Sequence, residues 1–422
     1  MRWSYRCPSC GAEYPIEPGR YLCDPCAVRQ RPEKPLEGVL ECVWLDGDEA
    51  AARELGAEGI PLPVEEKYFA PVPVGDTPLW APARLREELG FPRLFLKDDT
   101  CEPTGSFKDR ASALVAAFAT QHGIREIALA STGNAASSMS GIGAAAGLKI
   151  TVFLPKAAPA AKRLQVLQYG AELRQVDGNY DQAFEESLAY SKATGVLSRN
   201  TGYNPLTIEG KKTVSFEILA DLRKAGLGAG LGALPATGGP SGAMAPRGGS
   251  GPFAAAPGGL PAIEVFVPAG DGVILSGVYK GFEDLMRLGR LARMPRVWAC
   301  QAQGSSALAR ALESGGFGAP VPCDTIADSI SVDVPRNGAY SLSKLKRHGG
   351  AAVVVSDQEI LAAQRTLSSK AGLFAEPSFS AALTGFLNAH DRLDRGSIVV
   401  LLVTGSGLKD LKSAARAVGV EL

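Results

Sequence analysis

The 422 residues carry 44 basic and 44 acidic side chains, a formal net charge of zero, which argues against a nucleic-acid-binding protein with its usual basic excess. A composition of 45% hydrophobic and 21% charged residues is ordinary for a globular chain, and the length allows two or three domains around a large core. No apolar run approaches the roughly 18–20 residues of a membrane span, and Met1–Arg6 has no secretory pattern, so a cytoplasmic protein with no membrane partner is expected.

The first element is a cysteine pattern. Four of the eight cysteines stand as Cys7-x2-Cys10 and Cys23-x2-Cys26, with twelve residues between the pairs. Two such hairpins place four thiolates around one Zn²⁺, and the metal holds together a segment too small to bury its own core. Four cysteines leave no open coordination position, so the zinc is structural; a redox pair is the other reading. Cys42, Cys101, Cys300 and Cys323 are scattered and read as core or surface residues. A proline-rich connector, Arg31–Pro73, follows, with one helix expected at Asp48–Leu55.

From there strand-like and helix-like segments alternate. Strands are expected at Arg93–Lys97, Glu126–Ala130, Lys149–Leu154, Glu172–Val176, Ile263–Pro268, Val297–Gln301, Ala352–Val355 and Ser397–Val403. Helices are expected at Ser106–Ala119, Asn134–Ala146, Pro159–Tyr169, Tyr180–Ala193, Glu209–Lys224 and Ser276–Arg287. The alternation implies a doubly wound α/β fold with parallel sheets, whose sites lie at the carboxyl ends of strands. Gly226–Leu260 is almost all Gly, Ala and Pro and reads as a flexible surface insertion. The expected layout is a zinc ribbon (1–30), a connector with part of the large domain (31–96), a small α/β domain (97–205) and a large α/β domain (206–422).

Four segments carry candidate chemistry. Thr104-Gly105-Ser106-Phe107-Lys108-Asp109-Arg110 sets a lysine at the mouth of a helix beside an aromatic ring. An apolar neighbour lowers an amine's pKa by desolvation, which suits a Schiff base with an aldehyde cofactor. Ser131-Thr132-Gly133-Asn134 follows a strand and opens a helix, so its N–H groups and hydroxyls can receive a carboxylate, or simply cap the helix. Gly270-Asp271-Gly272-Val273 follows Ile263–Pro268 and can cradle a phosphate on successive N–H groups. Thr404-Gly405-Ser406-Gly407 follows a very apolar strand and offers a neutral hydroxyl to a heteroaromatic nitrogen. The three histidines, His122, His348 and His390, have no metal spacing, and His348 reads as a solvated helix end.

In this order the segments resemble the threonine synthase family, pyridoxal-phosphate enzymes of the tryptophan-synthase-β-like fold. The resemblance runs from about Lys97 onward and includes Lys97-Asp98-Asp99, Asn204-Pro205, Glu209-Gly210-Lys211-Lys212-Thr213, Ala375-Glu376-Pro377 and Thr404 to Asp410; an N-terminal zinc ribbon occurs in part of that family. It implies that Lys108 binds the cofactor aldehyde covalently and then shuttles protons, with Phe107 packed beside the cofactor. It implies further that Asn134 bonds the ring hydroxyl, that Gly270, Asp271, Gly272 and Val273 hold the cofactor phosphate, and that Thr404 meets the pyridine nitrogen. Ser131, Thr132 and Gly133 would receive the substrate carboxylate. The implied reaction converts O-phosphohomoserine to threonine and phosphate, in a homodimer.

The chain departs from the family pattern at several places. Thr207 stands where an arginine is common, Ala135 where threonine is, and Ser406 where histidine is, and the glycine loop is one residue short. Lys97, Lys211 or Lys212 could replace the missing charge. The alternatives are a serine/threonine- or diaminoacid-type ammonia-lyase or a β-replacement enzyme on the same cofactor, and, from another class, a non-catalytic zinc-ribbon interaction protein.

Overall fold

Six consecutive apolar residues, Ile398–Val403, are all buried and form an inner strand of the larger sheet. A run without polar alternation suits a parallel strand covered on both faces. The computed structural model describes residues 1–31, 33–45, 47–48, 59–156, 160–178, 180–228 and 261–421. Its strands are β1 (Trp3–Arg6), β2 (Glu13–Tyr14), β3 (Glu41–Trp44), β4 (Leu79–Trp80), β5 (Leu94–Asp98), β6 (Glu126–Ala130), β7 (Lys149–Pro155), β8 (Glu172–Val176), β9 (Leu197–Ser198), β10 (Ile263–Pro268), β11 (Arg296–Ala302), β12 (Ala351–Val355) and β13 (Ile398–Val403). The larger sheet runs β12-β11-β10-β13-β5-β4, parallel except for the antiparallel edge strand β4. The smaller sheet, β8-β7-β6-β9, is parallel throughout. The expected α/β class with parallel sheets is what the chain adopts.

The helix Val273–Arg287 packs closely on the segment Leu206–Leu222. A Cβ on Gly277 would lie 2.5 Å from the Lys211 Cβ, and one on Gly281 would lie 2.3 Å from the Lys212 carbonyl oxygen. Glycine at both positions lets the two backbones touch.

Several elements differ from expectation for local reasons. The connector contains β3, which pairs antiparallel with β1; Trp3 stands opposite Trp44 with ring centroids 5.7 Å apart. Its Glu41 is buried and accepts a 2.6 Å bond from the Tyr340 hydroxyl, which ties this first sheet (β2-β1-β3) to the helix Gly338–His348. The helix after the Gly-Ser turn begins at Lys108 rather than Ser106, because Ser106 is held in an extended bridge with Gly405. The segment from Glu209 is a short helix Leu206–Glu209, a 3-10 turn Gly210–Lys212 and a helix Thr213–Leu222; Gly210 lies so close to Arg110 that a Cβ would meet its carbonyl oxygen at 2.4 Å. The helix expected from Ser276 begins at Val273, directly after Gly272, whose φ of +85° turns the chain into it. His348 ends its helix but is not simply solvated: its Nε2 lies 2.7 Å from Glu283 Oε1. Residues 49–55 of the expected helix, 229–260 of the Gly/Ala/Pro-rich segment and Pro159 lie outside the described residues. No helix among the described residues is long and apolar enough to cross a membrane.

Candidate active site

The topology brings the four segments to one place. The turn before Lys108 and the turn after β13 are stitched together: Phe107 N–H donates to the Thr404 carbonyl at 3.0 Å, and Ser406 N–H to the Gly105 carbonyl at 3.0 Å. Ala375 bridges Ser406, and Glu376 N–H donates to the Gly405 carbonyl at 3.0 Å, so Ala375-Glu376-Pro377 is tied to the same turns, which stand behind the cavity lining. Across from it, Ser131–Asn134 follows β6. A cavity of about 350 Å³ between them is lined by Lys108, Ser131, Thr132, Gly133, Asn134 and Asp271, with Tyr180, Ser329 and Arg336 among its other walls.

Lys108 is half-buried and projects into this cavity. Burial holds its amine below the ordinary lysine pKa; Asp271 and then Glu376 oppose the shift, and Arg199 reinforces it. Phe107 is fully buried and packs into the larger sheet's core with Val265, Val267 and Ala269, next to Lys108 in sequence but not on the cavity wall. The Arg110 guanidinium lies 5.5 Å from its ring centroid.

Ser131 does cap its helix: its Oγ accepts from Gly133 N–H and Ala136 N–H, both at 3.2 Å. Asn134 opens the helix Asn134–Ala145 and donates from Nδ2 to the Glu376 carboxylate (3.0 and 3.2 Å) and to Ser329 Oγ (3.1 Å). Glu376 also accepts from Ser329 Oγ at 3.1 Å. Its carboxyl is buried and held above the usual carboxylate range by desolvation, against the pull of Asn134 and Lys409.

In the loop after β10, the N–H groups of Gly270, Asp271 and Gly272 donate to no protein acceptor among the described residues, and the helix behind them leaves its first N–H groups free as well. Asp271 accepts from Arg336 N–H at 3.3 Å, and burial raises its carboxyl's pKa against the pull of Lys108. The Thr404 hydroxyl has no hydrogen-bond partner among the described residues. Of the three lysines considered for an added charge, Lys97 is paired with Glu217 and Asp221 and Lys212 with Glu209 and Asp284. Only Lys211 is free of a carboxylate partner among the described residues; its Nζ donates to the Thr207 carbonyl at 2.9 Å.

Glu376 and Ser329 were not singled out as site residues from sequence. The Glu376-Pro377 step, an acid directly before a helix with proline at its first position, marks a helix start and not a function. Outside the cavity lining, the sulfurs of Cys7, Cys10, Cys23 and Cys26 lie within 4.8 Å of one another and none is in a disulfide.

A family model described as pyridoxal-phosphate dependent enzyme matches residues 71–405. The threonine synthase of Methanocaldococcus jannaschii is 29% identical over 98% of this chain and 94% of its own length. That of Methanosarcina acetivorans is 30% identical over 96% and 92%. Among solved structures, maize serine racemase superposes with a TM-score of 0.64 at 20% identity, over 82% of this chain and 92% of its own, a likeness of fold alone. The family match covers every residue that lines the cavity, and the relatives match almost from end to end. The chain belongs to the threonine synthase family and is a pyridoxal-phosphate-dependent lyase of the tryptophan-synthase-β-like fold.

Proposed function

We propose that the protein converts O-phosphohomoserine and water to threonine and inorganic phosphate. The observation that carries this reading is Lys108, an amine depressed by burial and set in a cavity lined also by Ser131–Asn134 and Asp271, with the Thr404 turn bonded to the neighbouring Phe107. The residues fit pyridoxal phosphate. The unpartnered N–H groups of Gly270, Asp271 and Gly272, ahead of Val273 at a helix N-terminus, would hold its phosphate. The free Thr404 hydroxyl would meet its ring nitrogen, and Asn134 its ring oxygen. When bound, the cofactor supplies an electron sink that acidifies the substrate's α C–H.

The chain's own groups do the rest. A depressed pKa leaves a larger fraction of the Lys108 amine unprotonated at neutral pH, so it can attack an aldehyde and later take a proton from carbon. Ser131, Thr132 and Gly133 line the cavity ahead of a helix N-terminus, where the dipole favours the substrate carboxylate; Thr132 offers its backbone N–H and hydroxyl, while Ser131 N–H is given to the Phe153 carbonyl and Gly133 N–H to Ser131 Oγ. The Glu376 carboxyl fixes the Asn134 amide through two contacts. The protein works as a cytoplasmic homodimer in this reading. The layout is a ribbon over 1–30, a connector to 96, a small domain over 97–205 and a large one beyond.

The test is a substrate screen of cofactor-loaded protein. Phosphate release from O-phosphohomoserine, with threonine formed in equal amount, is expected. Keto-acid release from serine, threonine or a diaminoacid, with no phosphate from O-phosphohomoserine, would replace this reading with an ammonia-lyase.

We assign Zn²⁺ to Cys7, Cys10, Cys23 and Cys26, whose four clustered sulfurs match a closed tetrahedral site. Metal analysis is expected to give about one zinc per chain. Cys10→Ser is expected to lose it and to lower the thermal midpoint, while kcat of the surviving fold changes little because none of the four cysteines lines the cavity. Retention of full zinc content by that variant would refute the assignment.

A further inference from the structure

The four-cysteine ribbon is built into the frame of the cavity. Cys23 N–H donates to the Gly38 carbonyl at 2.8 Å, and Leu22 bridges Val39 antiparallel, so the connector runs alongside the second cysteine pair. Gly38 has a φ of +73°, and a Cβ there would lie 3.0 Å from the Cys23 carbonyl oxygen and 3.1 Å from the Cys26 Cβ. Only glycine brings this backbone so close to the cysteine hairpin.

On its other side the same segment meets the glycine loop. Leu36 N–H donates to the Arg336 carbonyl at 2.9 Å, and Arg336 lines the cavity. The Arg336 N–H in turn donates to the Asp271 carboxylate at 3.3 Å, and Asn337 N–H donates to the Asp271 carbonyl at 3.0 Å. The buried side chains of Leu36 and Val39 share one apolar cluster with Val273, the last residue of that loop, and with Ile208 and Tyr340. A second contact reaches the opposite wall. Tyr21, two residues before Cys23, accepts at its hydroxyl from Ser198 N–H at 2.7 Å, and its ring lies 4.8 Å from that of Tyr203. Ser198 ends β9, three residues before Thr201 of the cavity lining. A segment as small as the ribbon takes its shape from its metal, and a close-packed contact passes a shift on instead of absorbing it.

We propose that Leu36 and Val39 are positioning residues for the cofactor: zinc in the ribbon sets their placement, and they hold Arg336 and the Gly270–Val273 loop in the arrangement that receives the cofactor phosphate. This rests on the assignment of zinc to the four cysteines and of the cofactor phosphate to the loop. Neither residue touches reacting atoms, so the effect falls on cofactor affinity and not on turnover of the loaded enzyme. The coupling is reciprocal: whatever factor zinc adds to cofactor affinity, the cofactor adds to zinc affinity.

Zinc affinity is measured by competition with a chelator, without and with pyridoxal phosphate, and cofactor affinity by absorbance. In the parent protein zinc is expected to bind about 10-fold tighter with the cofactor present. Leu36→Ala leaves all four cysteines in place and is expected to keep the parent's zinc content. In it the cofactor-linked gain falls below about threefold, and the cofactor affinity of the zinc-loaded protein falls about 10-fold. Leu36→Met fills nearly the same space and is expected to restore both to within about twofold. kcat at saturating cofactor is expected to change by less than about twofold, as for Cys10→Ser. A merely structural role would lower the denaturation midpoint without making zinc affinity respond to the cofactor. Val39→Ala repeats the comparison if Leu36→Ala does not fold, and the parent's own two zinc affinities need no variant. Equal zinc affinities in a protein that releases phosphate from O-phosphohomoserine overturn the proposal and leave that reaction standing. So does a chain that takes up no zinc, or a full cofactor-linked gain in both alanine variants. Linked zinc and cofactor binding that Leu36→Ala uncouples, in a protein that releases no phosphate from O-phosphohomoserine, upholds the positioning role and rejects that substrate.

Discussion

Lys108→Ala is expected to abolish the visible absorbance of the cofactor-loaded protein and to lower turnover by at least about 10³-fold, because in the proposed reaction one side chain supplies both the covalent attachment and the proton transfer. Borohydride reduction followed by digestion is expected to place the cofactor on the peptide containing Phe107-Lys108-Asp109 in the parent protein and on no peptide in the variant. The apoprotein of the variant is expected to be no less stable at neutral pH. Burial depresses the Lys108 amine, so the unfolded chain binds more protons than the native one at pH values below the ordinary lysine pKa. Linkage then makes the lysine's contribution to native stability unfavourable near neutrality, and increasingly less so as pH rises toward about 10.4. Full turnover in the variant, or a reduced tag on another lysine such as Lys211, would remove Lys108 from the centre of the site.

The second large effect concerns the charged cluster at the start of the Lys108 helix. Arg110, two residues beyond Lys108, is fully buried in a charged cluster. Its Nε donates to Asp99 Oδ2 at 2.6 Å, and its Nη2 donates to Asp99 Oδ1 and Glu217 Oε2, both at 2.9 Å. Thr77 adds a 3.0 Å contact. Arg110→Met strands two buried carboxylates and is expected to cost about 3–5 kcal/mol, read as a fall in the denaturation midpoint. Glu102, 3.4 Å from Nε, adds little to that loss. Burial pushes its carboxyl up to about 8, so it is protonated at neutral pH. The double variant Arg110→Met, Glu217→Gln is expected to recover part of the loss, because it also removes one stranded charge.

The pH dependence of this cluster has a definite sign. Burial raises the Glu217 carboxyl, but Arg110 and then Lys97 outweigh it and hold it down to about 2. A folded pKa below the unfolded value of about 4.3 means the contribution is fully present above that value and fades as pH falls toward 2. The parent protein is therefore expected to lose stability between about pH 4.3 and 2, and Arg110→Met is expected to show a smaller change in that window. An identical acid profile in parent and variant would show that Glu217 is not held by Arg110.

The α/β class was legible because its signals are local. The runs at Ile263–Pro268 and Ile398–Val403 have no polar alternation, which is the mark of strands buried on both faces. The Gly-Ser-x-Lys turn, the Ser-Thr-Gly-Asn loop and the glycine loop each follow a strand, where such folds place their sites. Helix starts were less legible: Ser106 leaves its helix because of Gly405, about three hundred residues away, and no local pattern encodes that pairing. The strand Glu41–Trp44 was hidden for the same reason, since its partner is Trp3–Arg6.

The sequence by itself determined the local setting of Lys108, the four-cysteine pattern and the order of the loops, because each rests on neighbours within a few residues. Only the tertiary structure decided which charges are neutralised. Lys97, Lys211 and Lys212 look alike along the chain, yet among the described residues two are met by carboxylates from distant segments and one is not. Glu376 likewise meets Asn134 of the cavity wall only when the β13 turn brings it there. Electrostatic pairing is a property of distance through space, and chain position does not carry it.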